Sequence, residues 1–199
     1  MNAPIITALV RCTAALALSL CSMTLAGCGK TAQTTRYQST DIQWSASEIA
    51  QQWASSDFLA HRSSDSPRIR LWPRDMVNHS SDRLSRSDQR IAVARVLGEV
   101  DALLHEKAID VVWSPEDVAL LSRRGITVPP LAAEDQATHI LRAEFASMVR
   151  AGADDGSGKA NQRVDRFFMN YSMVALDTNR IDWAGTVEFA RAARGILAD

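Results

Sequence analysis

Hydrophobic and polar positions divide the chain into stretches of different period. After Arg11 the residues up to Leu25 are Ala, Leu and other small or apolar types, with no further charge. Gly29 to Thr40 is polar, and Tyr37 is its only large apolar residue. Beyond it Ala46, Ile49, Ala50, Trp53 and Ala54 fall at helical spacing behind Ser45-Ala46-Ser47-Glu48, which fits a capping box, so a helix is expected over Ser45–Leu59. The breaker "HRSSDSP" ends it, and "RIRLW" before Pro73 reads as a short strand. A polar connection leads to a second helix over Ser87–Glu106, striped by Val93, Val96, Leu97, Val100, Leu103 and Leu104. "IDVVW", Ile109 to Trp113, reads as a buried strand. Ser114-Pro115-Glu116-Asp117 opens a short helix that Gly125 ends. The last third changes to period two. Leu141, Ala143, Phe145 and Val149 share a face, as do Phe167, Met169, Tyr171 and Met173, then Ile181, Trp183, Val187 and Phe189. Loop Ala151–Gln162 and turn Asp177–Arg180 join these three segments into an antiparallel meander. The expected architecture is a single α/β sandwich: a mixed sheet with a C-terminal meander, packed by helices.

The first segment has the order of a secretory signal: a basic residue, an apolar run and small residues. The run is too short and too rich in Ala, Ser and Thr for a membrane span. Leu25-Ala26-Gly27-Cys28 resembles a bacterial lipobox, in which cleavage falls between Gly27 and Cys28 and the cysteine sulfur carries lipid. Cys12 and Cys21 would leave with the signal, so the mature chain would hold no free thiol, disulfide or thiolate metal site. Three segments follow: a signal over 1–27, lipidated Cys28 with a short tether over 28–40, and a folded domain over 41–199. Twelve tether residues span about 40 Å stretched and about 20 Å relaxed, which keeps the domain near its membrane. The residue after Cys28 is Gly29 rather than Asp, which favours the outer membrane, periplasm-facing, over the inner.

Without Arg11 the charged side chains number 21 basic and 23 acidic, a formal charge of −2. That leaves no basic excess for nucleic acid. "GADDGSGKA" fails as a phosphate loop: Ala153 stands where glycine is needed before Gly158, and Ala160 follows Lys159 where Ser or Thr is needed. Asp154 and Asp155 at that loop tip read as solvated. His61, His79, His105 and His139 form no ligand-spaced pair, so no metal or cofactor is expected. Glu116 and Asp117 are explained by the helix N-terminus they sit on. Trp44, Trp53, Trp72, Trp113 and Trp183 fall in or beside core elements, with one or two of them expected at a partner interface. No catalytic constellation stands out, so a binding module is expected rather than an enzyme, with no concave polar pocket where titratable groups converge.

The element order resembles the LpoB family of lipoprotein activators of penicillin-binding proteins. The stretches that carry it are "SEIAQQWASSDFL", "PRIRLW…VNHSSDRLSRSD", "IDVVW", "HILRAEF" and "YSMVALDTNRIDWAGTVEFAR". The resemblance implies a lipid-tethered α/β domain without an active site. It would bind a class A (bifunctional) penicillin-binding protein and raise its activity in peptidoglycan synthesis. The tether departs from the long leash of the best-known members. The fold is also similar to periplasmic domains of curli-secretion lipoproteins of the CsgG type, which makes a structural or assembly lipoprotein of an envelope complex the alternative.

Overall fold

The computed structural model describes residues 36–128, 137–151 and 162–194, all within the unit Thr34–Asp199. The elements in order are α1 (Ser39–Ala54), α2 (Asp57–Ala60), β1 (Ile69–Pro73), β2 (Val77–Asn78), α3 (Arg86–Glu106), β3 (Ile109–Val111), α4 (Pro115–Ser122), β4 (His139–Ala151), β5 (Gln162–Ala175) and β6 (Ile181–Arg194). They form one mixed sheet in the order β3-β1-β4-β5-β6, with β2 paired to β4 beside β1. β1 runs parallel to β3 and β4, while β4, β5 and β6 form the antiparallel meander. This is the α/β sandwich that the periodicities imply.

The core lies between one face of the sheet and the helices α1 and α3. Ile49 and Trp53 of α1 and Val93, Val96, Leu97, Val100 and Leu104 of α3 meet Leu71, Leu141, Phe145, Phe167, Met169, Tyr171 and Met173 from the strands. Every second residue of β4 from Leu141 to Phe145 and of β5 from Phe167 to Met173 therefore points inward. Leu103, placed in the α3 stripe, is only partly buried. The side chain of Val149, the loop residues 152–161 and the phosphate-loop positions lie outside the described residues.

Three local expectations are corrected. The first helix begins at Ser39, not Ser45, and is two helices rather than one. The Asp41 carboxylate accepts from the Gln38 N–H (2.8 Å), while Ser45 is fully buried inside the helix and donates to the Ile42 carbonyl. The break at Ser55–Ser56 arises because the Ser55 hydroxyl bonds back to the Gln51 carbonyl and Ser56 caps α2. Packing also reaches into the polar stretch read as a tether: the Tyr37 ring lies 4.7 Å from that of Phe145. Finally, Ile181 does not join Trp183 on the inner face but is 60% exposed. A bulge pairs Met173 with Trp183 and Val174 with Ile181, leaving Asp182 as the extra residue and turning the strand end outward.

Two terminations follow directly from sequence. α4 starts at Ser114, whose hydroxyl accepts from the Asp117 N–H (3.2 Å), with Pro115 in the first turn. It closes in a Schellman turn: Gly125 adopts φ +74°, its N–H reaches the Ser122 carbonyl, and Ile126 N–H reaches Leu121. At the outer edge of the sheet, the Gln52 side-chain amide donates to the Thr186 carbonyl (3.0 Å) and accepts from the Thr186 N–H (3.1 Å). The neighbouring Gly185 leaves the room this needs: a Cβ there would stand 2.7 Å from the Trp183 ring and 3.0 Å from Gln52 Oε1.

Candidate functional site

β3 lies on one flank of β1 and β4 on the other, so the strand order reverses between β1 and β4. Open α/β sheets form crevices at such points, beyond the carboxyl ends of their strands. A cavity of about 640 Å³ opens there, between the end of β1, the N-terminal turns of α3 and α4, and β4. Arg90 and Ser114 help line it from the helices, Trp72, Arg74 and Asp75 from the end of β1, and Arg142 and Glu144 from β4. The expectation that no concave polar pocket gathers titratable groups is therefore corrected. The residues come from four separated stretches, which spacing along the chain does not reveal.

Ser85 caps α3 by accepting from the Asp88 N–H (3.1 Å), and this start turns Arg90 onto the same buried side as Val93 and Leu97. The guanidinium then has several partners. Nη1 donates to the carbonyls of Pro73 (3.0 Å) and Arg74 (3.2 Å), and Nη2 lies 2.8 Å from the Asp75 carboxylate. Nε stands 2.8 Å from Asp117 Oδ1, an ion pair whose angle is off-line for a hydrogen bond. The two side chains are 5% and 2% exposed. Removing two ions from water costs several kcal/mol each, and close opposite charge offsets that. Arg90 thus ties the end of β1, the connection after it and the start of α4 together. Asp117 serves the helix N-terminus as expected, and the structure adds that it is buried against Arg90.

The rim differs. The Arg74 guanidinium lies 4.4 Å from the centre of the Trp72 ring, a cation–π contact. Arg142 and Glu144 stand exposed on one face of β4, and Glu116 is exposed on α4. Arg74, Glu116, Arg142 and Glu144 form no ion pair among the described residues. The rim therefore offers charges of both signs beside an indole, while the floor charges are committed to the fold.

A second polar cluster joins β4 to β6. His139 Nε2 lies 3.0 Å from Asp182 Oδ2, and its Nδ1 lies 2.9 Å from Thr138 Oγ1. Arg180 Nε donates to Asp182 Oδ1 (2.7 Å). Burial alone would raise the Asp182 pKa, but the hydrogen bonds and charges of Arg180 and His139 outweigh it and hold the carboxyl below its usual range. The order hydroxyl–imidazole–carboxylate is that of a hydrolytic triad. Here Thr138 Oγ1 also accepts the Arg70 N–H (3.0 Å), and the Thr138 N–H donates to the Arg70 carbonyl. The hydroxyl is part of the seam between β1 and β4.

The other histidines are scattered: His61 Nδ1 lies beside the Asp57 carbonyl, the His79 N–H bonds to the Phe145 carbonyl, and His105 is exposed near Asp110. Among the described residues no three His, Cys, Asp or Glu side chains gather as metal ligands. Trp53, Trp113 and Trp183 are buried, Trp72 is half-buried at the crevice, and Trp44 is exposed. Gly27, Cys28, Asp154 and Asp155 lie outside the described residues.

The fold is that of an α/β sandwich with a mixed sheet. No family model and no curated protein sequence matches the chain. Among solved structures, it is similar to the LpoB C-terminal domain from Salmonella enterica at 12% identity and TM-score 0.39, covering 75% of this chain and 98% of that one. The LpoB C-terminal domain from Escherichia coli is similar at 9% identity and TM-score 0.40, with the same 75% and 98% covered. Lipoprotein GNA1162 from Neisseria meningitidis is similar at 12% identity and TM-score 0.35, over 62% of this chain and 83% of that one.

Proposed function

We propose that this protein is an envelope lipoprotein, carried on lipidated Cys28 after removal of residues 1–27, that acts by binding a protein partner rather than by catalysis. The partner is a class A penicillin-binding protein, whose glycan-polymerising or crosslinking activity it raises, and the anchor is in the outer membrane with the domain facing the periplasm. The observation that carries the binding reading is the division of labour in the crevice. Arg90 and Asp117 are held by each other and by structural partners, whereas Trp72, Arg74, Arg142 and Glu144 present an aromatic ring and charge of both signs at the rim. Trp and Arg are the residue types in which binding energy concentrates, and mixed rim charge sets register and partner choice. The lipobox at Leu25–Cys28 and the LpoB-like order of the quoted stretches supply the compartment and the partner class.

The test is crosslinking in intact cells through a photoreactive residue placed at Arg142, followed by identification of the bound protein. Recovery of a bifunctional synthase, lost in the Arg74→Glu background, is the expected result. Recovery of a secretion or assembly complex without a synthase would overturn the partner. Cys28→Ala should release the protein from the membrane fraction; unchanged membrane association would refute the anchor.

A further inference from the structure

We propose that the exposed face of α1 around Trp44 rests on lipid headgroups, so that the domain is held to its membrane by surface contact as well as by its anchor. The inference rests on the reading of Cys28 as the lipidated residue. It begins with where the chain becomes fixed. The Tyr37 N–H donates to the Asp82 carboxylate (3.1 Å) and the Tyr37 hydroxyl contacts Met169 Sδ (3.4 Å). The Tyr37 ring packs 4.7 Å from Phe145 and 5.9 Å from Phe189. Nine residue steps separate Cys28 from Tyr37. They span about 30 Å at full stretch and about 17 Å relaxed. Helix α1 alone is about 24 Å long. A tether whose relaxed span is shorter than one helix of the domain keeps the surface beside Tyr37 close to the bilayer.

Trp44 lies on that surface. It is 45% exposed, and its ring meets the same Phe189 edge-on at 5.8 Å. Its exposed neighbours on α1, Thr40, Gln43 and Gln51, carry no charge. Asp41 is matched by Arg191 through two contacts of 2.7 and 2.8 Å. The half-buried Glu48, one turn beyond Trp44, brings a carboxylate to this face, and an indole on an otherwise uncharged polar surface suits the headgroup level, where tryptophan is enriched. Ile181, the most exposed of the large apolar side chains among the described residues, lies eight residues from Phe189 along β6, about 26 Å away. Of the two ends of the meander, only the one with Trp44 adjoins the tether.

The full lipidated chain would be reconstituted in phosphatidylethanolamine–phosphatidylglycerol vesicles whose acyl chains are brominated near the headgroup. Tryptophan emission would be compared with that in unbrominated vesicles, and the N-terminal peptide checked by mass for lipid on Cys28. Emission is expected to fall in the brominated vesicles, and Trp44→Phe, which keeps the ring packing on Phe189, should abolish most of that loss. A loss of emission that persists in Trp44→Phe would overturn the contact. So would unchanged emission with lipid present on Cys28, a result that leaves the anchor standing. A Cys28 without lipid would overturn anchor and contact together.

Discussion

Between β1 and α4 the interior is closed by Arg90 and Asp117, whereas between α1 and the meander it is closed by rings. Trp53 stacks on Trp183 at 4.8 Å and 14°, Phe145 on Phe167 at 5.7 Å, and Phe167 on Phe189 at 5.2 Å. The two regions share one sheet, yet they respond differently to change. Ring packing is graded and adds area by area, with an aromatic pair worth about 0.5–1.5 kcal/mol beyond burial. A buried ion pair is worth little against an apolar pair of equal volume, but loses much when one partner goes. The polar region is also the one that opens a crevice, and the aromatic region is the one against which the chain first packs, at Tyr37.

The largest test of this contrast is Trp53→Ala. It removes a fully buried ring and should destabilise the fold by about 3–5 kcal/mol, read by urea denaturation. Arg90→Ala should cost about 3–4 kcal/mol because the buried Asp117 is left with only the Arg86 guanidinium, 3.9 Å away and largely exposed, as countercharge. The double change Arg90→Met with Asp117→Leu should recover most of that loss. If it recovers none, the pair is a true source of stability and the contrast fails. Tyr171→Phe tests the aromatic region from the other side. Among the described residues the Tyr171 hydroxyl is buried without a hydrogen-bond partner, and burial, with Tyr37 beside it, raises its pKa. Removing the hydroxyl should stabilise by up to about 1 kcal/mol, seen as a higher thermal midpoint.

The smallest effect concerns pH. Asp182 is held below its ordinary 3.8 in the fold, so the folded state binds fewer protons there than the unfolded chain. Its contribution is complete above that value and is lost as pH falls through the depressed one. Asp182→Asn should therefore flatten the acid limb of the thermal midpoint measured from pH 5 downward, leaving neutral pH behaviour of the two proteins parallel.

The meander was legible because its residues keep a period of two over three long segments, from Leu141 through Phe167 to Val187, broken only where the bulge at Asp182 turns Ile181 outward. The α4 cap at Ser114 and its stop at Gly125 were legible because each is a local rule satisfied by adjacent residues. The start of α1 was not: Ser45 and Glu48 carry a capping pattern, but Ser45 is needed as a small buried residue, and Asp41 serves the N-terminus instead. The crevice was hidden for a different reason. Its parts lie at 72–77, 86–90, 114–116 and 140–144, and only the sheet brings them together. One signal was available: Arg90 falls one helical turn before Val93 and Ala94 on the buried side of α3, a place where a charge demands a partner.

The contact between Gln52 and Thr186 bears on how the molecule behaves in a crowd. β6 is the last strand of the sheet, and its outward N–H and C=O groups could seat the strand of another chain. A glutamine amide has the same donor and acceptor as a peptide unit, and Gln52 presents both to Thr186 in the middle of that edge. An incoming strand would have to evict it. The helix thereby lends one side chain to act as a terminating rung, and the sheet stops growing at β6.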